Sequence, residues 1–188
     1  MILMKEKSRV GIIKFLIGIL LSNVIRFARF IPNNDPIMAI MLPYAKSDKK
    51  YKAVLFPFIT MVSFDLITGM LGIWTLITAL TYAGLGLLFT QFFFKEKKIS
   101  IFKYLKGGII GVLIFDFITG VIAMPFMFGM SFELALIGQI PFTLMHLLTV
   151  GIFIIVITPL YDKHIIKNIS LEDLAVFNKL KQKFVLHT

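Results

Sequence analysis

The sequence predicts an all-α membrane protein: a six-transmembrane-helix bundle in which helices 3–4 and 5–6 form a parallel hairpin repeat. Three observations predict it. Apolar residues make up 58% of the 188 positions and charged residues only 16%, whereas a soluble domain carries roughly 25% charged residues. The apolar residues fall in long runs, several near the roughly 20 residues that cross about 30 Å of hydrocarbon. The Lys and Arg residues sit in short segments between those runs, which is the positive-inside pattern of a membrane protein. A net charge of +10 therefore reflects membrane topology, and no nucleic-acid partner is expected. The chain has no cysteine, which excludes disulfides, thiol catalysis and thiolate metal sites.

The first helix is expected over residues 10–31. Lys5, Lys7 and Arg9 before an apolar run resemble a secretory leader, but no small-residue cleavage site follows Val24. The run continues through Arg26 and Arg29, so it reads as a retained helix. Pro32-Asn33-Asn34-Asp35-Pro36 breaks it. The second helix is expected from Pro36 to Ala45. At about ten residues it reaches roughly 16 Å, half a bilayer. Either its ends extend into neighbouring segments or, as the preferred reading, the Asn33-Asn34-Asp35 loop dips into the membrane. Irregular backbone at that depth must line a cavity or be buried in protein. The third helix is expected over 53–71, the fourth over 73–94 and the fifth over 104–123. A turn follows over 124–131, then a sixth helix over 132–160, bent at Pro141. The polar tail begins at Tyr161, and Ser170-Leu171-Glu172-Asp173 marks a short surface helix.

This division gives a transmembrane domain over 1–161 and a cytoplasmic tail over 162–188. The N-terminus, the 46–52 and 95–106 loops, and Lys163 and Lys167 in the tail are basic. The 33–35, 72 and 124–133 connections carry no Lys or Arg. Six spans put every basic segment on one side, so both termini are expected in the cytoplasm of a multi-pass protein of the cell membrane.

Phe64-Asp65-Leu66-Ile67-Thr68-Gly69 recurs as Phe115-Asp116-Phe117-Ile118-Thr119-Gly120, five identities in six at a spacing of 51. This is the basis for reading two copies of one hairpin, and interfaces between repeats are where transporters place their sites. Asp65 and Asp116 each lie about twelve residues above the basic side, roughly 18 Å up, near the expected tip of the 33–35 loop and slightly below Arg26. Carboxylates at such depth face a polar interior or a partner. Each aspartate therefore either faces a ligand cavity, or caps neighbouring backbone or pairs with Arg26 or Arg29 to fix helix packing. Gln139 and His146, seven residues apart on the sixth helix, are candidates for the same ligand or for hydrogen bonds between helices. Trp74 and Tyr82 are candidates for stacking on a ring, with an interfacial anchor as the plainer reading of Trp74. Glu133 reads as solvated. Three scattered histidines make no metal site, and no phosphate loop, HExxH pair or GxSxG elbow occurs. Neither a cofactor nor an enzyme activity is expected.

Six helices in fewer than 200 residues, basic loops on one side, the Asn33-Asn34-Asp35-Pro36 loop and the FDxITG segments resemble the S components of energy-coupling factor transporters. The resemblance covers about residues 10–160. It implies a membrane-embedded substrate-binding subunit for micronutrient uptake, driven by a transmembrane coupling protein and ATPase subunits. It also implies a site near the outer face and small residues on the first helix that meet the coupling protein. Gly11, Gly18 and Ser22 match those positions. The ligand-binding expectation is Arg26, Asn33, Asn34, Asp35, Asp65, Asp116, Gln139 and His146. Competing readings are a self-sufficient secondary transporter coupled to protons through Asp65 and Asp116, a membrane enzyme, and a non-transporting assembly subunit.

Overall fold

The computed structural model describes residues 11–30, 33–46, 50–93, 99–171 and 175–176. Among them there is no strand, and four helical segments are long and apolar enough to cross a membrane: Tyr51–Thr68, Ile73–Phe92, Ile101–Phe128 and Phe132–Ile166. In chain order the helices are α1 (Ile12–Ala28), α2 (Ile37–Ala45), α3 (Tyr51–Thr68), α4 (Ile73–Phe92), α5 (Ile101–Asp116), a π-helical stretch (Phe117–Ala123), α6 (Met124–Phe128) and α7 (Phe132–Tyr161).

At the centre of the bundle lies α2. All nine of its residues are buried, and Ile37, Met38, Ala39, Ile40, Met41, Leu42 and Tyr44 have no exposed surface. Its sequence IMAIMLPYA is apolar all round, which leaves no polar face for solvent and calls for protein or lipid on every side. Here protein supplies it: α2 packs against α1, α3, α4, α5 and α7. Pro43 sits inside α2 and cannot donate to the carbonyl four residues back. That carbonyl, on Ala39, instead accepts the Thr158 hydroxyl of α7 at 2.8 Å. Pro57 in α3 likewise frees the Ala53 carbonyl, and Gly86 of α4 lies directly against it. A Cβ at Gly86 would collide with that backbone, so the α3–α4 crossing depends on its absence.

Most expected boundaries shift by a few residues. The first helix stops at Ala28, three residues early, because Arg29 adopts a left-handed φ of 47°; Val10 and Ile31 lie outside the described residues. The fifth helix starts at Ile101, capped by the Ser100 hydroxyl, and runs on without interruption through the π stretch to Phe128. The turn expected over 124–131 is thus shortened to Gly129, with φ 67°, Met130 and Ser131, whose hydroxyl caps α7. The sixth helix appears as α7, with Pro141 in its interior. The expected surface helix at 170–173 is one 3-10 turn, Ile169–Leu171; Glu172 and Asp173 lie outside the described residues. The tail starts as a π turn, Asp162–Ile166, packed on the bundle.

The two FDxITG segments differ. In the first, Gly69 takes φ 71° and ends α3, with the Met70 N–H on the Asp65 carbonyl at 2.8 Å. Only a residue without a Cβ enters that conformation cheaply. In the second, Gly120 stays helical inside the π stretch, where Val-Ile-Ala-Met carries the helix on.

The residues expected to meet a coupling protein, Gly11, Gly18 and Ser22, are all buried inside the bundle. The reason is local. The hydroxyls of Tyr44 of α2 and Tyr161 of α7 lie 2.9 and 3.0 Å from the Lys14 carbonyl and bond each other, so one donates to the carbonyl and the other to its neighbouring hydroxyl. Their hydroxyls pass over Gly18, where any Cβ would collide with them. Lys14 itself, with no exposed surface, reaches the Ile166 carbonyl at 2.7 Å, and Lys52 reaches the Gly11 carbonyl at 2.8 Å. Outward, α1 presents Ile12, Leu16, Leu20 and Val24, a four-residue repeat of exposed aliphatic side chains.

Candidate functional site

A cavity of about 970 Å³ opens where the C-terminal end of α1, the 33–35 loop, the second half of α3, the N-terminal end of α4, the π stretch and the first half of α7 converge. This is the end of the bundle away from the Lys-rich 46–52 connection. The volume falls in the range of small-molecule sites, and so does the character of the wall, mostly apolar with a few convergent polar groups.

The polar groups are held in different ways. Arg26, in the last turn of α1, stacks its guanidinium over Phe64 at 4.0 Å and points Nη1 at Met61 Sδ at 3.1 Å. Arg29 follows one turn later and is exposed. Asn33, with a left-handed φ of 53°, donates from Nδ2 to the Phe142 carbonyl of α7 at 3.3 Å. Asn34 donates from Nδ2 to the Ile25 carbonyl. Asp35 accepts the Ile37 N–H at 2.9 Å through Oδ1, closing the start of α2, and the Tyr82 hydroxyl at 2.8 Å through Oδ2. Tyr82 lies halfway along α4, so the loop descends to the middle of that helix. An Asp or Asn side chain that bonds backbone nearby is what makes such a loop rigid.

On α7, Gln139 donates to Thr143 at 3.3 Å and lies against Gly120, where the missing Cβ leaves room for its amide. His146 is buried between Phe115 and Phe142, with Nδ1 2.8 Å from Asp116 Oδ1. Nε2 is the remaining polar atom of the ring. Asp116 is buried, and its Oδ2 has no hydrogen-bond partner among the described residues.

Of the eight candidate ligand residues, Arg26, Asn33, Asn34, Asp35, Gln139 and His146 line this cavity, from segments over 100 residues apart in sequence. Asp116 stands behind His146. Asp65 is separate: its Oδ2 accepts the Thr75 hydroxyl at 2.6 Å and its carbonyl caps the end of α3. It staples the α3–α4 turn and does not reach the cavity wall. The expected pairing of the aspartates with arginines does not occur; among the described residues neither Arg26 nor Arg29 makes an ion pair with Asp65 or Asp116. The acids take a hydroxyl and an imidazole from the helices they pack on, which satisfies them without long-range geometry. Sequence reasoning missed Phe115, Thr119 and Phe142 on the wall. Their signal was available for the first two, which belong to the second FDxITG segment. It also missed Lys14, a lysine in the middle of an apolar run, which by itself marks a buried cation needing acceptors. Trp74 lines the cavity beside Phe128, and Glu133 is exposed.

Comparison of the chain with protein-family models, curated proteins and solved structures yields no match.

Proposed function

We propose that this chain is a membrane-embedded binding subunit that captures a small solute for uptake. The observation that carries the reading is the cavity. It is roomy and mostly apolar, lies at one end of an apolar helical bundle, and draws polar side chains from α1, the 33–35 loop and α7. In this reading α1 and α2 complete six spans, with the basic connections and both termini in the cytoplasm, and the cavity opens on the outer face. The pairing of α3 with α4 and of α5 with α7 supports two copies of one hairpin, although the second FDxITG segment has been remodelled into a π stretch. Energy for uptake comes from a coupling protein and ATPases, as in the S components that the sequence resembles. That partner meets an outward face of the bundle, since Gly11, Gly18 and Ser22 are occupied internally.

The test is native mass spectrometry of the chain purified from membranes in an uncharged detergent. A retained small molecule, lost when Gln139→Leu and Phe142→Ala alter the wall, is the expected result. Retention of detergent and lipid alone defeats the reading.

A second reading is favoured by one observation. The buried Asp116–His146 pair, 2.8 Å apart, places a carboxyl and an imidazole in contact next to the cavity, the kind of side chains that form proton relays in transporters. Reconstituted alone in liposomes, such a transporter accumulates solute down a proton gradient, whereas a binding subunit does not.

A further inference from the structure

We propose that the cavity takes an aromatic carboxylate, a flat ring bearing one anionic group, with the anion on Arg26 and Arg29. The inference rests on the reading of the cavity as a ligand site and goes on to the chemistry of the ligand. The full charges on the wall are Arg26, Arg29 and Asp35. Asp35 is committed at both oxygens, to the Ile37 N–H at 2.9 Å and the Tyr82 hydroxyl at 2.8 Å. The other nearby carboxylate, Asp116, lies behind His146 and is engaged by it at 2.8 Å. The arginines are not engaged in this way. Among the described residues neither forms an ion pair, and the one polar contact of Arg26 is a thioether sulfur at 3.1 Å, a weak acceptor. Two guanidinium groups, each with five donors in a fixed fork, thus line the cavity without an ion-pair partner among the described residues. A carboxylate is the group whose geometry matches such a fork. A cationic ligand finds no uncommitted carboxylate on the wall, since Asp116, whose Oδ2 is free of hydrogen bonds among the described residues, does not line the cavity.

The rest of the wall selects shape. Phe30, Phe64, Trp74, Phe115 and Phe142 contribute five rings, and aromatic side chains favour offset or edge contacts with another flat ring over a flexible chain. An aliphatic acid or an anionic lipid shares the carboxylate-plus-apolar chemistry but not the flatness.

Trp74 is the sole tryptophan of the chain and lies on the wall, so its fluorescence reports binding directly. The full chain in an uncharged detergent is titrated with 2-naphthoate, its neutral counterpart 2-naphthamide, the cation 2-naphthylmethylammonium, and octanoate. Saturable quenching by 2-naphthoate is expected, with the amide and the cation about tenfold or more weaker, since a charged hydrogen-bonded contact is lost. Octanoate competes weakly. Arg26→Gln, and separately Arg29→Gln, should reduce the acid-over-amide preference by about tenfold; two variants guard against one that fails to fold. Equal affinity for acid and amide overturns the anionic assignment, and so does a preference for the cation. In either case saturable binding still leaves the cavity a ligand site. Octanoate matching 2-naphthoate overturns the aromatic assignment in favour of an aliphatic or lipid occupant. Absence of saturable quenching by every probe defeats both the inference and the reading beneath it.

Discussion

Asp65 and Asp116 occupy the same position in two nearly identical hexapeptides, yet their surroundings assign them different work. Asp65 accepts from Thr75 across the α3–α4 turn, away from the cavity. Asp116 fixes the ring of His146, which is on the cavity wall. Replacing Asp65 by Ala should therefore lower stability by about 1–3 kcal/mol, through loss of the buried hydrogen bond from Thr75, with little change in what the cavity binds. Asp116→Ala should lower both stability and affinity, because the imidazole loses the hydrogen-bond partner that orients its ring. Thermal unfolding and Trp74 fluorescence titration on the same two samples separate these outcomes; equal loss of affinity in both variants would contradict the division. A third residue, Tyr82, supports the loop. Tyr82→Phe strips Asp35 Oδ2 of its donor and should cost about 1–3 kcal/mol, visible as a lower melting temperature, and should loosen the 33–35 loop.

Two elements show how proline and glycine are absorbed by helix packing. In α2, Pro43 leaves the Ala39 carbonyl to Thr158 of α7. Thr158→Val keeps the shape and removes the hydroxyl, so a loss of about 1 kcal/mol is expected, the modest size typical of hydrogen bonds between helices in lipid. No change in melting temperature would mean that the carbonyl has found another donor. In α1, Gly18 marks where Tyr44 and Tyr161 reach over the helix to the Lys14 carbonyl. Gly18→Leu should cost about 3 kcal/mol or more through overpacking, and the chain should lose its fold in detergent. Were this site a partner contact instead, the variant would melt like the parent and fail only in transport.

At the scale of the whole molecule, the arrangement of ends is the testable feature. The cavity and exposed Glu133 lie at one end, and Lys106 of α5 is exposed at the other. The chain has no cysteine, so single cysteines report cleanly. In intact cells an impermeant thiol reagent should label Glu133→Cys and spare Lys106→Cys until the membrane is opened. Labelling in the reverse order would turn the cavity toward the cytoplasm and remove the basis for capture from outside.

Composition and run length alone determined that the chain is helical and suited to a membrane, because hydrocarbon leaves a backbone few alternatives to the helix. The local breakers, Pro32 to Pro36, Gly72 and Gly129, located the helix ends to within a few residues, because their conformational limits act on neighbours only. The short second helix also pointed to a descending loop, since its length is simple arithmetic. Tertiary structure alone decided which faces meet. That Gly18 turns inward, that Lys14 is buried, that Asp65 leaves the site while Asp116 backs it, and that Arg26 and Arg29 face a cavity without carboxylate partners all depend on the rotation of each helix about its axis. In an almost uniformly apolar chain no hydrophobic stripe sets that rotation. It is set instead by close contacts such as Gly86 on Ala53, and by single hydrogen bonds between residues up to 152 positions apart, which no local pattern encodes.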